Sequence, residues 1–451
     1  MSSDNKYKVI ANKLKFEGRA FINGKYVNAI DGKKFETINP ATGKKLCVVA
    51  KCNHKDVDLA VKVSRKAFNS GAWSRSSPEH RKEVLLKFAE LLRKHGDENS
   101  VLESIDTGKL ITDCINEVAN DAPMHFQWYG ELIDKVFGKI GPTEPSITSL
   151  IIKEPIGVVA GIVPWNFPLM MAVWKMAPAL AAGCSVIIKP AEDTPLTAIR
   201  VAKIAQEAGI PDGVLNVLPG YGDVGEALGR HKDVDAVSFT GSTEVGGYFL
   251  KYSSESNLKP VALEMGGKSP FIVLEDAKIN DDLIDNAINS AFWNGGQNCS
   301  ANMRQIVHKK VKDEFLDKVS KKVMSLKVGD PLNLKSNMGS MISKNHLMTV
   351  NNYIQKGIDE GAKLVAGGPG KPDGLDKGYF VKPTAFADVN NQMEIARTEI
   401  FGPVLSIIPF ENEEEAISIA NDTPYGLTNY IQTQDKEKVQ RVARKVRSGM
   451  V

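Results

Sequence analysis

The 451-residue sequence is short of cysteine and of net charge, and each shortage closes off a class of protein. Its five cysteines (Cys47, Cys52, Cys114, Cys184, Cys299) are odd in number and contain no Cys-x-x-Cys pair. They do not make a disulfide framework and fit a reducing compartment. Cys47, Cys52 and His54 lie close together, yet half-buried thiols in a strand-rich segment account for them better than a metal site. The seven histidines are scattered, so no metal is expected. A net charge of +3 gives no footing for nucleic acid or a membrane surface. No apolar run is long enough to span a bilayer, and residues 1–15 lack the apolar core of a signal peptide. Cytoplasm is the expected location.

What is present is an ordinary globular composition, 42% hydrophobic and 25% charged, on a chain long enough for two or three domains. Residues 16–52 read as short strands, with a hairpin signal at Ala20–Lys25. Helical periodicity follows over 55–70, 78–96 and about 113–138. From Ile156 the pattern changes. Strand-like runs at 157–163, 185–189, 214–218, 236–239 and 260–264 alternate with helix-like stretches. Near-continuous Val/Ile runs of this kind predict buried parallel strands with helical crossovers, a Rossmann-like doubly wound unit. A second α/β set begins after Gly267, with strands expected at 271–274, 305–308, 363–366 and 405–410.

Three stretches carry candidate chemistry. Cys299 ends Phe292-Trp293-Asn294-Gly295-Gly296-Gln297-Asn298-Cys299, where a glycine turn after a helix would let a thiol face a cleft. Glu264 ends a strand-like run before Gly266-Gly267, at a strand C-terminus where ligands gather; partial desolvation there would suit a general base. Asn166, in Val163-Pro164-Trp165-Asn166-Phe167-Pro168, reads alone as a helix cap and, beside a thiol nucleophile, as an oxyanion donor. Gly220–Gly225 is a literal G-x-G-x-x-G; a second glycine turn, Gly241–Gly246, also lies between strand and helix. Either could be a tight connection with no ligand.

In this order the three motifs resemble the NAD(P)-dependent aldehyde dehydrogenase superfamily, and the resemblance runs from about residue 18 to the end. It implies a Rossmann-like cofactor domain (1–133 and 156–264), a β-arm for oligomerisation (134–155) and a second α/β catalytic domain (265–451). It implies that Cys299 attacks the aldehyde and that Asn166 with the Cys299 N–H holds the oxyanion, each donor worth about 2.7–4 kcal/mol. Hydride leaves, and Glu264 activates the water that cleaves the thioester. Gly241 and Ser242, with Gly225 as a secondary choice, are the phosphate contacts it implies. Lys189 and Glu192 match the adenosine-ribose pair, and a carboxylate there favours NAD over NADP. Glu399 and Phe401, in Glu399-Ile400-Phe401-Gly402-Pro403, match the nicotinamide end. Glu264 argues against the CoA-acylating branch.

Phe167, Met171, Trp174 and Trp293 match the family's substrate tunnel. With Asp121 they suit an ammonium group, so an ω-amino or trimethylammonio aldehyde is expected. A general aliphatic aldehyde weighs evenly against it. Asn302 departs from the glycine common in relatives and puts the local loop geometry in question. The family continues some tens of residues beyond Val451, through a strand that pairs with a neighbouring subunit. The expectation is therefore a homodimer or homotetramer weakened at that point, with an NAD-binding fragment lacking turnover as the rival.

Overall fold

The computed structural model describes residues 3–451, and the chain divides into two compact units. The first takes in residues up to Ile38, Lys45–Asp106 and Ile111–Glu264; the second takes in Asn39–Lys44, Thr107–Leu110 and Met265–Val451.

The first unit is built on a seven-stranded sheet. Its order is Val261–Glu264, Ala236–Thr240, Val158–Ile162, Ser185–Lys189, Leu215–Val217, then the hairpin Ala20–Ile22 and Lys25–Val27. The first five strands are parallel. Their near-continuous apolar runs are explained by burial on both faces. Val186 and Ile188 enter one core, with Leu169, Val173 and Leu180, while Ile187 enters the other, with Val57, Ala60 and Val61. The chain runs outward from Val158–Ile162 to one side and then crosses back to Ala236–Thr240 on the other. This reversal makes a switch point at the C-terminal ends of those strands, where ligands bind in open α/β sheets. The hairpin turns through Asn23 and Gly24 at φ 52° and 75°, the left-handed pair of a type I′ turn.

Two segments differ from the sequence expectation. Helix Gly96–Thr107, not anticipated, is buried on all sides from Asn99 onward and supplies Glu103 and Asp106 to the interior. The helix expected over 113–138 widens into a π segment, Ile115–Asp121. Ala122 donates five residues back to Glu117, and Pro123 has no N–H to donate. Within the expected arm, Lys139–Gly141 and Ser149–Ile151 pair antiparallel as a separate two-stranded sheet. Its flank is apolar and exposed, including Phe137, Ile140, Leu150 and Ile152.

The second unit holds a six-stranded sheet in the order Lys363–Ala366, Thr384–Ala387, Val404–Phe410, Arg304–His308, Pro270–Val273, Tyr430–Gln432. All neighbours are parallel except the first pair. Helix Lys309–Ser325 has a strongly charged outer face and helix Lys344–Asp359 a polar one, and neither was singled out from the sequence. Among the described residues no helix is long and apolar enough to cross a membrane.

Candidate active site

In the first unit the candidate residues gather at strand C-termini. Strand Val158–Ile162 runs out through Val163, whose N–H donates to the Lys189 carbonyl at 3.1 Å, so the Asn166 and Lys189 loops leave the sheet side by side. Asn166 is buried. It is not the helix cap, because Phe167 occupies that position in helix Pro168–Ala182. Lys189, also buried, places Nζ 3.1 Å from Glu192 Oε2.

Glu264 ends the edge strand in register with Thr240, and its carbonyl accepts from Gly241 N–H at 3.0 Å. Its side chain is exposed, where the sequence led us to expect partial desolvation; as the last residue of an edge strand it lacks a covering neighbour. The sequence missed its neighbour Lys175. That buried lysine donates to Thr240 Oγ1 at 2.7 Å, and burial pushes its ammonium down to about 8 against the opposing charge of Glu264.

Gly241 and Ser242 form the turn into helix Thr243–Ser254. Ser242 Oγ accepts from Val245 N–H at 3.3 Å, and the first turn is exposed. A Cβ at Gly241 would stand 2.5 Å from the Phe239 ring, so only glycine keeps the backbone this close to the strand. Gly225 lies inside helix Gly222–Arg230, buried against Phe249. Phe167 and Met171 are buried, while Trp174 is 50% exposed, which leaves its indole available to a ligand. Asp121 is half-buried, and its carbonyl accepts from His125 Nδ1–H at 2.8 Å; the His125 ring lies 6.2 Å from that of Trp174. Asp121, His125 and Trp174 are thus brought together, and His125 was not singled out from the sequence.

In the second unit the candidates gather at the opposite ends of strands, the N-termini. Cys299 precedes Arg304–His308, Gly266-Gly267 precedes Pro270–Val273, and Glu399 with Phe401 precedes Val404–Phe410; these three strands are neighbours. The turn before Cys299 is left-handed at three successive residues, Asn294, Gly295 and Gly296, with φ of 51°, 64° and 73°. Gln297 fastens it. Its amide donates to the Asn294 carbonyl at 3.0 Å and accepts from Ile342 N–H at 2.9 Å. Cys299 is half-buried, and none of the five cysteines forms a disulfide. Asn298 Oδ1 accepts from Ser300 N–H at 3.2 Å and lies 3.9 Å from Cys299 Sγ. The Cys299 carbonyl runs so close to Gly267 that a side chain there would collide with it.

Glu399 Oε1 accepts from Gly267 N–H at 2.9 Å, and burial raises this carboxyl above its ordinary range. Phe401 is left-handed at φ 58°. Trp293 is 41% exposed at the end of helix Asp281–Phe292. Lys268 is buried without a hydrogen-bond partner for Nζ, and burial with the nearby Arg304 charge pushes its ammonium down to about 7. Asn302, the departure noted above, keeps ordinary backbone and donates to Ser290 Oγ at 2.6 Å. Among the described residues no group of three His, Cys, Asp or Glu side chains is arranged for a metal ion.

Residues 26–451 match the aldehyde dehydrogenase family. Over 450 residues the chain is 44% identical to an aminoacetaldehyde dehydrogenase of Pseudomonas aeruginosa, covering 100% of this chain and 90% of that protein. It is similar to the crystal structure of a γ-glutamyl-γ-aminobutyraldehyde dehydrogenase from Burkholderia cenocepacia, with a TM-score of 0.97 and 44% identity over 99% of this chain and 90% of that one. An indole-3-acetaldehyde dehydrogenase structure in complex with NAD+ gives a TM-score of 0.97 and 46% identity, covering 100% and 91%. The chain belongs to the aldehyde dehydrogenase family. It is an enzyme, an NAD-dependent oxidoreductase acting on aldehydes. Its own geometry fits the dinucleotide: strand ends at a switch point, a glycine turn into an exposed helix N-terminus, and an adjacent Lys189–Glu192 pair that offers both a donor and an acceptor.

Proposed function

We propose that the enzyme converts an ω-amino or trimethylammonio aldehyde to its carboxylic acid, with Cys299 as nucleophile. The observation that carries the nucleophile is the rigid left-handed turn, pinned by Gln297, that presents a half-buried thiol. The Cys299 thiolate adds to the carbonyl carbon. Asn166 and the Cys299 N–H hold the resulting alkoxide. The carbonyl carbon gives up its hydrogen as hydride, and a thioester remains. Bound NAD supplies the hydride acceptor. Glu264, open to water, removes a proton from the attacking water, and the thiolate leaves.

The substrate class rests on Asp121, His125 and Trp174: the Asp121 main-chain carbonyl holds His125, whose ring lies beside the half-exposed Trp174 indole, so an acidic residue and an available aromatic face share one neighbourhood. Phe167 and Met171 supply apolar lining, and Trp293 a further exposed aromatic. The names of the relatives from P. aeruginosa and B. cenocepacia agree with an amine-bearing substrate. Gly241 and Ser242 hold the pyrophosphate, with Gly225 supporting their helix through packing, and Glu399 and Phe401 hold the nicotinamide end. Glu192 beside Lys189 favours NAD over NADP. The apolar arm around Phe137 and Ile152 joins a second copy of the chain, and the enzyme works in the cytoplasm.

The test is NADH formation with aminoacetaldehyde, betaine aldehyde and propanal, for the parent and Asp121→Asn. Preference for the cationic aldehydes, reduced by the substitution, supports the reading. Equal use of propanal by both proteins makes this a general aliphatic aldehyde dehydrogenase.

A further inference from the structure

Helices Pro168–Ala182 and Leu196–Ala208 both start without a capping side chain of their own. Their N-cap residues are Phe167 and Pro195, neither of which can accept a first-turn N–H through its side chain. Both helix starts are buried, so water does not fill the role. The acceptors come instead from one turn of a third helix, Gly96–Thr107. Glu103 Oε2 lies 3.2 Å from Leu169 N and 3.2 Å from Thr197 Oγ1. Asp106 Oδ2 lies 3.1 Å from Leu196 N, and its Oδ1 lies 2.8 Å from Thr37 Oγ1. Thr37 Oγ1 in turn lies 3.4 Å from the Asp193 carbonyl. Glu103 and Asp106 stand three residues apart, hence on one helix face, and both are buried.

These two helix starts are the places where the chain enters from Asn166 and from Glu192. A serine or aspartate at each N-cap would satisfy the same donors, but would leave the two loops independent. Caps taken from one rigid helix tie them together. We propose that Glu103 and Asp106 are positioning residues for aldehyde oxidation: one buried brace that fixes the Asn166 loop and the Lys189–Glu192 loop relative to each other. The proposal rests on the oxyanion role of Asn166 and the ribose role of Lys189 and Glu192 stated above. Glu103 governs the Asn166 side through Leu169. Asp106 governs the ribose side through Leu196 and, with Thr37, through the Asp193 carbonyl.

The experiment separates cofactor binding from chemistry. NAD affinity is read by protein fluorescence titration, and the first turnover by the NADH burst at saturating NAD and aldehyde. Thr37→Val and Asp106→Leu should each weaken NAD binding about tenfold, with a smaller effect on the burst rate. Glu103→Leu should slow the burst by about tenfold or more, with a smaller effect on NAD affinity, and Glu103→Gln, which keeps an acceptor for Leu169, should recover part of it. Thr37→Val is close to isosteric and serves if the carboxyl variants fold poorly. Lys189→Ala and Asn166→Ala are the reference variants. If they impair NAD binding and the burst respectively, while the Thr37, Asp106 and Glu103 variants lose only thermal stability, the brace is overturned. If Lys189→Ala leaves NAD affinity unchanged and Asn166→Ala leaves the burst unchanged, the underlying site assignment fails, and the brace with it.

Discussion

The imidazole of His346 donates from Nε2 to the carbonyl oxygen of Phe401 at 2.6 Å. The direction is forced, because a carbonyl can only accept. The bond matters because Phe401 is held left-handed at φ 58°, a conformation that costs a side-chain-bearing residue roughly 1–2 kcal/mol. Burial keeps the imidazolium below its ordinary range despite that bond. A histidine with a depressed folded-state pKa binds fewer protons folded than unfolded, so its contribution is full above about pH 6.5 and is lost as pH falls below it. His346→Ala is expected to lower stability by about 1–3 kcal/mol at pH 7.5 and to flatten the loss of stability between pH 6.5 and 5. Urea midpoints for both proteins at each pH check this; parallel curves would remove His346 as the source.

The turn before Cys299 makes a second prediction. A Cβ at Gly296 would lie 2.6 Å from the Gly402 carbonyl and would collide with Met303, at a φ that favours glycine. Gly296→Ala is expected to cost at least about 1–3 kcal/mol and to move the thiol. Gln297→Ala removes the fastening to Asn294 and Ile342 without a clash. It leaves the buried Ile342 N–H unpaired, at a cost of about 1–3 kcal/mol, and should lower the NADH burst rate by about tenfold or more in the protein that remains folded. An unchanged burst in Gln297→Ala would show that the turn holds Cys299 without its bracket.

How much of this could be read in advance follows from which residues announce themselves. The parallel strands of the first unit were legible because burial on both faces leaves unbroken Val/Ile runs such as Val186-Ile187-Ile188. Cys299, Glu264 and Asn166 were visible because each stands at a glycine- or proline-marked break beside a strand or helix. Glu103, Asp106 and His346 were not. Each lies inside a helix, in a stretch whose local pattern is ordinary, and acts on backbone far away in sequence: Glu103 on Leu169, Asp106 on Leu196, His346 on Phe401. Nothing in spacing or periodicity marks a contact across 55 or more residues. The exposure of Glu264 was missed for the same reason, since edge position is a property of the sheet order and not of the strand.

The division of labour between Cys299 and Glu264 is tested by single turnover. Cys299→Ala should abolish NADH formation while leaving NAD binding measurable. Glu264→Gln should keep a first-turnover burst and slow the steady state by about 10²–10⁴-fold, the range for losing a general base. Full steady-state turnover in Glu264→Gln would assign the base to another group, with Lys175 the first to examine because burial holds its pKa at about 8 beside Thr240.

Asp106 predicts a pH dependence of the opposite sign to His346. Burial raises its carboxyl to about 8, with the nearby Glu103 and Asp193 charges acting in the same direction. A protonated Asp106 also satisfies its surroundings better: it keeps one oxygen to accept from Leu196 N–H, its own O–H donates to Thr37 Oγ1, and the Thr37 hydroxyl is released to donate to the Asp193 carbonyl. Between the ordinary aspartate pKa of about 3.9 and the folded value of about 8, the folded chain holds a proton that the unfolded chain has lost. The contribution is therefore full at low pH, declines as pH rises through that interval, and is flat above it. In Asp106→Asn, whose side chain does not titrate, the decline from this source should disappear. From pH 6.5 to about 8, above the range in which His346 titrates, the difference in denaturant midpoint should shift in favour of the variant, and from there to pH 9 it should stay constant. A constant difference across the whole range would mean that Asp106 keeps one charge state in the folded enzyme.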